Sequence, residues 1–351
     1  MTGEKWKSAA MLVLGMAALL VGTPAAAEPS TQCTVSERSI GELSGLVADK
    51  DHLYAINDGG TKLNVFVLNR STCKLEKSIT NKADPYDVED LARTPDGAFW
   101  LADIGDNNKN RETVALTKLS PDGKTATLYR LTYPDGAHDA EALLIDRKGV
   151  PYIVTKVPLG AAGVYRPDGP LQSSGPTKLT QVGSVDLQTT ETPGGPTRIP
   201  HSIASVLVTG GAVAADGTVI ALRTYTDAYL YSAPDGDVLA ALGRTPVQVP
   251  LPNEPQGEAI AFDPDGNLLS GSEGAGQPIH LVTGATSMVN PKPQGSGGTG
   301  TSGTGGAKGT GALGVSQPGA FPLWPVLGAI VVIIILACVL YVFLSRRQRR
   351  R

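Results

Sequence analysis

Apolar and polar positions along this chain form short runs broken by tight turns, with no long stretch of helical period between them. Five stretches share one layout: an apolar run, a turn built on Asp-Gly, Lys-Gly or Lys-Asp, and a second apolar run. They are GELSGLVADKDHLYAIND (residues 41–58), DVEDLARTPDGAFWLAD (87–103), DAEALLIDRKGVPYIVTK (139–156), VTGGAVAADGTVIALRTY (208–225) and QGEAIAFDPDGNLLSGSE (256–273). Runs of this kind predict strands paired as hairpins. The acids Glu42, Glu89, Glu141 and Glu258 open four of the five, and Thr209 stands near the same place in the other. A recurrence of about fifty residues points to propeller blades.

Runs at residues 62–68, 74–80, 113–119 and 125–133 supply further strands for the first two units. The fifth unit has only residues 280–282 after its hairpin, so residues 34–40 are expected to complete it and close the ring. Closure removes exposed sheet edges. The predicted fold is all-β: a five-bladed β-propeller with a C-terminal single transmembrane helix. A six-bladed ring is the alternative, because the third unit is long, and an open sandwich is the runner-up. Residues 190–203, rich in Gly, Pro and Thr, are expected to be a loop.

The ends of the chain read differently. Lys5 and Lys7 precede an apolar run at residues 9–21 and the small residues Ala25, Ala26 and Ala27. That is the pattern of a cleaved signal peptide, residues 1–27. Residues 28–290 are the expected extracellular propeller. Residues 291–320, rich in Gly, Ser and Thr, cannot bury enough surface to fold and read as a flexible stalk. Residues 321–345 hold an uncharged run rich in Val, Ile and Leu. It is long enough to cross the ~30 Å hydrocarbon core as a helix. Residues 346–351 carry five arginines, a cytoplasmic stop signal. The expected location is the cell membrane, single-pass, with the N-terminal domain outside.

With 30 basic and 33 acidic side chains the net charge is −3, which argues against nucleic acid as a partner. Cys33 and Cys73 lie in the exported part and Cys338 in the expected span. An even pair in an oxidising compartment predicts one disulfide.

In a hairpin, the start of the first strand and the end of the second lie at one edge. Counting outward from the turns pairs Glu89 with Asp103, Glu42 with Asp58, Glu141 with Lys156, Glu258 with Glu273 and Thr209 with Arg223. First strands line a propeller's axis, so these pairs are expected to converge on one funnel. Asp106, Asn107 and Arg111 from the loop IGDNNKNR join them, as do His138 and Asp139 ahead of Glu141, and Tyr225 after Arg223. Close carboxylates raise one another's pKa unless a cation offsets them. Lys156, Arg111 and Arg223 offset only some. The excess acid leaves room for a hard ion, and Ca²⁺ fits it, with Glu89, Asp103, Asp106, Glu141 and Glu258 as ligands. A ring of purely structural ion pairs is the alternative.

The segments ELSGL, NDGG, VEDLA, DIGDNNKNR, DAEAL, RTY and QGEAI resemble a family of exported bacterial β-propellers. The family is similar to the esterase-like-activity-of-phytase proteins and, more distantly, to SdiA-regulated propellers. The resemblance spans residues 40–273 and implies a propeller fold. β-Propeller phytases hold calcium with acids at the channel mouth, but their motifs do not match this sequence residue by residue.

Other chemistries find little support. There is no GxSxG elbow and no HExxH, and His52, His138, His201 and His280 are scattered without metal-ligand spacing. The expected function is a membrane-anchored module that captures a small-molecule or envelope ligand at its acidic rim. A metal-assisted phosphoesterase or esterase is the alternative.

Overall fold

The structure, a computed structural model, describes residues 28–289. The expected signal peptide, stalk, membrane helix and basic tail lie outside the described residues. Among the described residues no helix is long and apolar enough to cross a membrane.

Strands dominate. After β1 (Ser30–Thr34) comes a first set of four, β2 (Leu43–Ala48), β3 (His52–Asn57), β4 (Leu63–Asn69) and β5 (Leu75–Asn81). The second set is β6 (Val88–Arg93), β7 (Phe99–Asp103), β8 (Val114–Leu119) and β9 (Ala126–Thr132). The third is β10 (Ala140–Ile145), β11 (Pro151–Thr155), β12 (Ala162–Pro167) and β13 (Thr177–Val185). The short helix α1 (His201–Ala204) falls in the expected loop. The fourth set follows, with β14 (Val208–Val213), β15 (Val219–Thr224), β16 (Asp227–Ser232), α2 (Val238–Leu242) and β17 (Val247–Pro250). The last elements are β18 (Gly257–Phe262), β19 (Leu268–Ser272), β20 (Pro278–Val282) and α3 (Ala285–Val289).

Within each set the strands pair antiparallel in chain order. A short parallel pairing, Leu131 with Thr177 and Thr132 with Lys178, joins the outer edges of the second and third sets. β1 pairs antiparallel with β20, so the N-terminal strand completes the last set. The closing strand is therefore Ser30–Thr34 rather than residues 34–40. The chain turns just after it: the Ile40 N–H donates to the Glu37 carbonyl at 3.1 Å, and Ile40 enters the core instead of a ladder.

The first strands β2, β6, β10, β14 and β18 pack side by side in a closed ring. The apolar core is divided into wedges, each between two facing sheets. Leu91, Phe99 and Leu101 meet Ile56, Val65 and Val67 in one. Leu46, Leu53 and Phe66 meet Ala259, Leu269 and Ile279 in another. This is a β-propeller, in which each sheet buries both faces against its neighbours and no edge is left long and flat. The ring is tight. A Cβ at Gly45 would lie 2.6 Å from the Leu91 amide nitrogen, so only glycine lets β2 approach β6 this closely.

Two devices fasten the joint between the first and last sets. Cys33 of β1 and Cys73 of the β4–β5 turn form a disulfide with Cα atoms 5.6 Å apart. Arg70, in the same turn, pairs with Asp263 in the β18–β19 turn. The ring's waist is held by Asp90. Its carboxylate accepts the N–H of Leu91 (2.7 Å), Leu143 (2.7 Å) and Gly211 (3.1 Å), so one side chain links β6, β10 and β14.

Candidate functional site

Every innermost strand carries a register shift at its start: between Leu43 and Leu46, Val88 and Asp90, Ala140 and Ala142, Val208 and Gly210, and Gly257 and Ala259. Such bulges re-aim a side chain. The re-aimed residues are Ser44, Glu89, Glu141, Thr209 and Glu258. Two of them stitch neighbouring strands: Ser44 donates to the Glu89 carbonyl, and Thr209 donates to the Gly257 carbonyl at 2.8 Å. The other three are buried glutamates with 3 % exposure each.

A second tier stands one residue before these strands: Glu42, Asp87, Asp139 and Gln256. A third follows the paired strands. The N–H groups of Asp58, Lys156 and Glu273 donate back to the carbonyls of Glu42, Asp139 and Gln256 at 2.9 Å. In the second set Gly105 takes this place, donating to the Asp87 carbonyl at 3.2 Å. Tyr225, which follows Thr224 of β15, is its counterpart in the fourth set.

The registry corrects the turn-based count. Glu42 is the counterpart of Asp87 and not of Glu89, and Asp58 is the counterpart of Gly105 and not of Asp103. The first set has a wider bulge, from Leu43 to Leu46, so distances along the chain do not carry over. Asp87 was not singled out by sequence. Its signal was the repeated acid-x-Glu of Asp87-Val88-Glu89 and Asp139-Ala140-Glu141, since residues two apart on a strand share a face.

The acids drawn together are Asp58, Asp87 and Glu89. One carboxylate oxygen from each lies within 4.8 Å of the others, a grouping that could hold a metal ion. Oxygen-only donors of this kind suit a hard cation such as Ca²⁺. Burial, then the hydrogen bond and charge of Asp58, push the pKa of Asp87 up to about 7, with Arg111 opposing. Burial, then Glu141, Asp58, Asp87 and Glu258, push Glu89 well above the carboxylate range. Burial raises Asp58 also, as do the charges of Glu273, Glu42 and Glu141.

Lys156 faces a second cluster. Its ammonium pairs with Glu141 Oε1 and lies 5.1 Å from the centre of the Tyr225 ring. Burial pushes Glu141 up to about 7 despite Lys156. Burial alone would lower Lys156, but Glu141, Tyr225 and Glu258 raise its pKa, so it stays charged. Glu258 and Glu273 are both raised, by burial first. Glu141 Oε2 is buried without a partner.

Other expected site residues do different work. The Asp103 carboxylate accepts the N–H of Tyr86 (3.0 Å) and Asp87 (2.9 Å) and an Arg111 guanidinium N–H (2.8 Å). Asp106 accepts the N–H of Asn110 (3.0 Å) and Arg111 (2.9 Å) and donates its own N–H to Asp139 at 2.9 Å. Both acids shape the 103–111 loop and are occupied by it, so neither joins the cluster at Asp58, Asp87 and Glu89. Arg111 stacks on the exposed Tyr86 ring, 4.6 Å from its centre. Asn107 is exposed.

His138 sits in an aromatic group. Its Nε2 is 3.0 Å from Asp135 and 3.2 Å from the Tyr165 hydroxyl, and its ring meets Tyr133 edge-on. Arg223 is not a rim base. It is fully buried between the fourth and last sets, where it donates to the carbonyls of Thr224, Ala259 and Gly271 and pairs with Glu254 at 2.8 Å. Burial would raise Glu254, but Arg223 and the bonds from His280 and Ser270 bring it below its ordinary value.

A second cavity, of about 550 Å³, is lined by the later residues of the innermost strands, among them Leu46, Leu91, Leu143, Gly211 and Phe262, together with Arg93, Asp146 and Arg147.

No family model matches this chain, and no curated protein sequence does. Solved structures are similar at low identity. A glucose dehydrogenase is 12% identical with a TM-score of 0.42, covering 72% of this chain and 99% of that one. The Kuenenia stuttgartiensis hydrazine synthase is 13% identical with a TM-score of 0.38, covering 70% of this chain and 97% of that one. The gluconolactonase XC5397 from Xanthomonas campestris is 14% identical with a TM-score of 0.37, covering 66% of this chain and 68% of that one. Scores of this size assign no activity to the present chain.

Proposed function

We propose that this chain is an exported, membrane-anchored five-bladed β-propeller that captures an oxygen-rich ligand at its axial mouth. A Ca²⁺ ion held by Asp58, Asp87 and Glu89 is the bridge between protein and ligand. The export and anchoring rest on the sequence at residues 1–27 and 321–351. The blade count rests on the five sets of strands and the ring of five innermost strands.

One observation carries the metal reading. Glu89 is a carboxylate with 3 % exposure, and one of its oxygens lies within 4.8 Å of oxygens of Asp58 and Asp87. Like charges crowded in a half-buried site are costly, and a divalent cation offsets the charge these three carboxylates share. The remaining coordination positions of so open a cluster fall to water and ligand oxygens. Glu141, Glu258, Glu273 and Lys156 then surround the ligand with both signs of charge.

The test is a calcium titration of the full chain after chelation. Binding should stabilise the fold by about 3 kcal/mol at a hundredfold excess over Kd. Glu89→Gln should abolish that shift. A melting temperature indifferent to calcium and chelator would favour the structural ion-pair ring.

A second reading, metal-assisted ester or phosphoester hydrolysis, is favoured by Glu141. A carboxyl titrating at about 7 is matched to general-base work near neutral pH. Turnover of a generic ester or phosphoester that disappears on chelation would select it over simple capture.

A further inference from the structure

A cavity of about 260 Å³ lies where the fourth set of strands meets the last. Pro252 and Glu254, between β17 and β18, line it together with Pro278 and His280 of β20 and Pro29 just before β1. Glu254 is 1 % exposed. Its Oε1 accepts the Ser270 hydroxyl at 2.6 Å and faces His280 Nδ1 at 3.1 Å, and its Oε2 accepts an Arg223 guanidinium N–H at 2.8 Å. Arg223 already balances the charge of Glu254, so the imidazole is not needed as a counter-ion.

Comparison with the other blades makes this histidine the odd member. Ser270 of β19 pairs with His280 of β20. At the same register the pairs are Ala55 with Phe66, Leu101 with Thr117, Ile153 with Tyr165 and Leu222 with Tyr229. Four blades fill this place with an apolar second-strand residue, so the fold itself does not require a charged network here. A buried ionic network is commonly no more stable than a packed apolar pair. Its presence in the last blade is therefore to be explained by what it does.

The network fixes the state of the imidazole. Burial alone would raise Glu254, but Arg223, His280 and Ser270 bring it below its ordinary value, so it is an ionised group that only accepts. The nitrogen facing it, Nδ1, must then carry a proton, and in the neutral ring Nε2 is left as an acceptor. Nε2 makes no hydrogen bond among the described residues and is not one of the buried atoms without a partner. With 19 % of the His280 side chain exposed, it is open to solvent. A carboxylate behind Nδ1 makes Nε2 a stronger acceptor. The rings of Pro29, Pro252 and Pro278 stand around the same space. Proline rings pack on aromatic faces, as when proline-rich segments dock in aromatic grooves. The volume falls below the roughly 300–1,000 Å³ of sites for drug-sized ligands, which limits an occupant to about one ring.

We infer that this cavity binds a small phenol, whose ring lies against the prolines and whose acidic hydroxyl donates to His280 Nε2. Glu254 is a positioning residue: it holds the imidazole in the accepting tautomer and does not touch the ligand. The site shares no residue with the cluster at Asp58, Asp87 and Glu89 and needs no metal.

The experiment titrates phenol, and anisole as the same ring without a donor, into the full chain in mildly alkaline buffer with a chelator. Binding is read by calorimetry and by nitrogen NMR of the histidine rings. Chelation separates this test from the calcium reading. The free chain should show His280 protonated at Nδ1. Phenol should bind more tightly than anisole, and only phenol should move the Nε2 resonance of His280. His280→Asn keeps a side-chain N–H for Glu254 and removes the Nε2 acceptor. It should weaken phenol binding roughly fivefold to tenfold, the worth of one hydrogen bond, and bring phenol level with anisole. Equal binding of the two probes by the parent, phenol binding unchanged in His280→Asn, no binding of phenol, or a proton on Nε2 in the free chain would each overturn the proposal. The spectra of the parent decide the matter even if the variant fails to fold.

Discussion

The Asp90 carboxylate accepts the amide N–H of Gly211 at 3.1 Å, across 121 residues of chain. With its bonds to Leu143 and Leu91 it acts as the pin of the central ring. Asp90→Ala should leave three buried N–H groups without their acceptor and cost at least ~3 kcal/mol. Asp90→Asn, which keeps one carbonyl oxygen, should cost less. Urea unfolding of the two variants beside the parent checks both the size and the order.

The acids at the mouth should make stability fall as pH rises. Asp87 and Glu141 titrate at about 7 in the folded chain, against about 4 when unfolded. Between those values the folded state holds protons that the unfolded state has lost. Their contribution is therefore complete below pH ~4 and is lost as pH rises through 7. In chelator, the melting temperature should decline across that window. Calcium should flatten the decline, because the cation replaces the missing protons. A chelated protein that grows more stable from pH 5 to pH 8 would contradict the assigned crowding.

The disulfide should matter for ring closure. Cys33 and Cys73 are 40 residues apart, and constraining a loop of this length is worth about 4 kcal/mol in the chain-entropy picture. The double variant Cys33→Ser, Cys73→Ser should lose stability of that order in denaturant. The loss should be concentrated where β1 meets β20, seen as faster amide exchange of Ile279 and Leu281.

The hairpins were legible because each is local: an apolar run, an Asp-Gly or similar turn, and another run specify a two-strand unit without distant contacts. The Cys33–Cys73 pair was legible from the count of cysteines and the expectation of export. The site's register was not. The bulges at the starts of β2, β6, β10, β14 and β18 change how many residues separate a turn from the mouth, and nothing in a run of apolar residues announces a bulge. Counting thus matched Glu42 to Glu89, when Asp87 was its counterpart. Arg223 was misplaced for a related reason. It lies one residue before Thr224, and on a strand one residue is the difference between facing the axis and facing the next blade. Its partner Glu254 lies in a loop outside all five repeats, where a repeat-based reading has nothing to align.

Gly105 offers the sharpest probe of the mouth. It occupies the rim place held elsewhere by Asp58, Lys156, Tyr225 and Glu273, and it alone has no side chain there. A Cβ built on it would overlap Glu89 Oε1 and Asp87 Oδ2. The glycine therefore clears the space in which two of the three clustered carboxylates sit. Its φ is not in the left-handed region, so alanine is acceptable to the backbone and the damage is confined to the carboxylates. Gly105→Ala should push Glu89 and Asp87 apart and abolish the calcium-induced rise in melting temperature. In chelator its own melting temperature should move by only a few degrees, about 1 kcal/mol in a domain of this size. Gly169→Ala is the matched control, because a Cβ there meets nothing within 4 Å. It should keep the full calcium response. If Gly105→Ala also keeps it, the metal is bound elsewhere on the rim, and Glu141, with its unpartnered Oε2, becomes the next residue to replace.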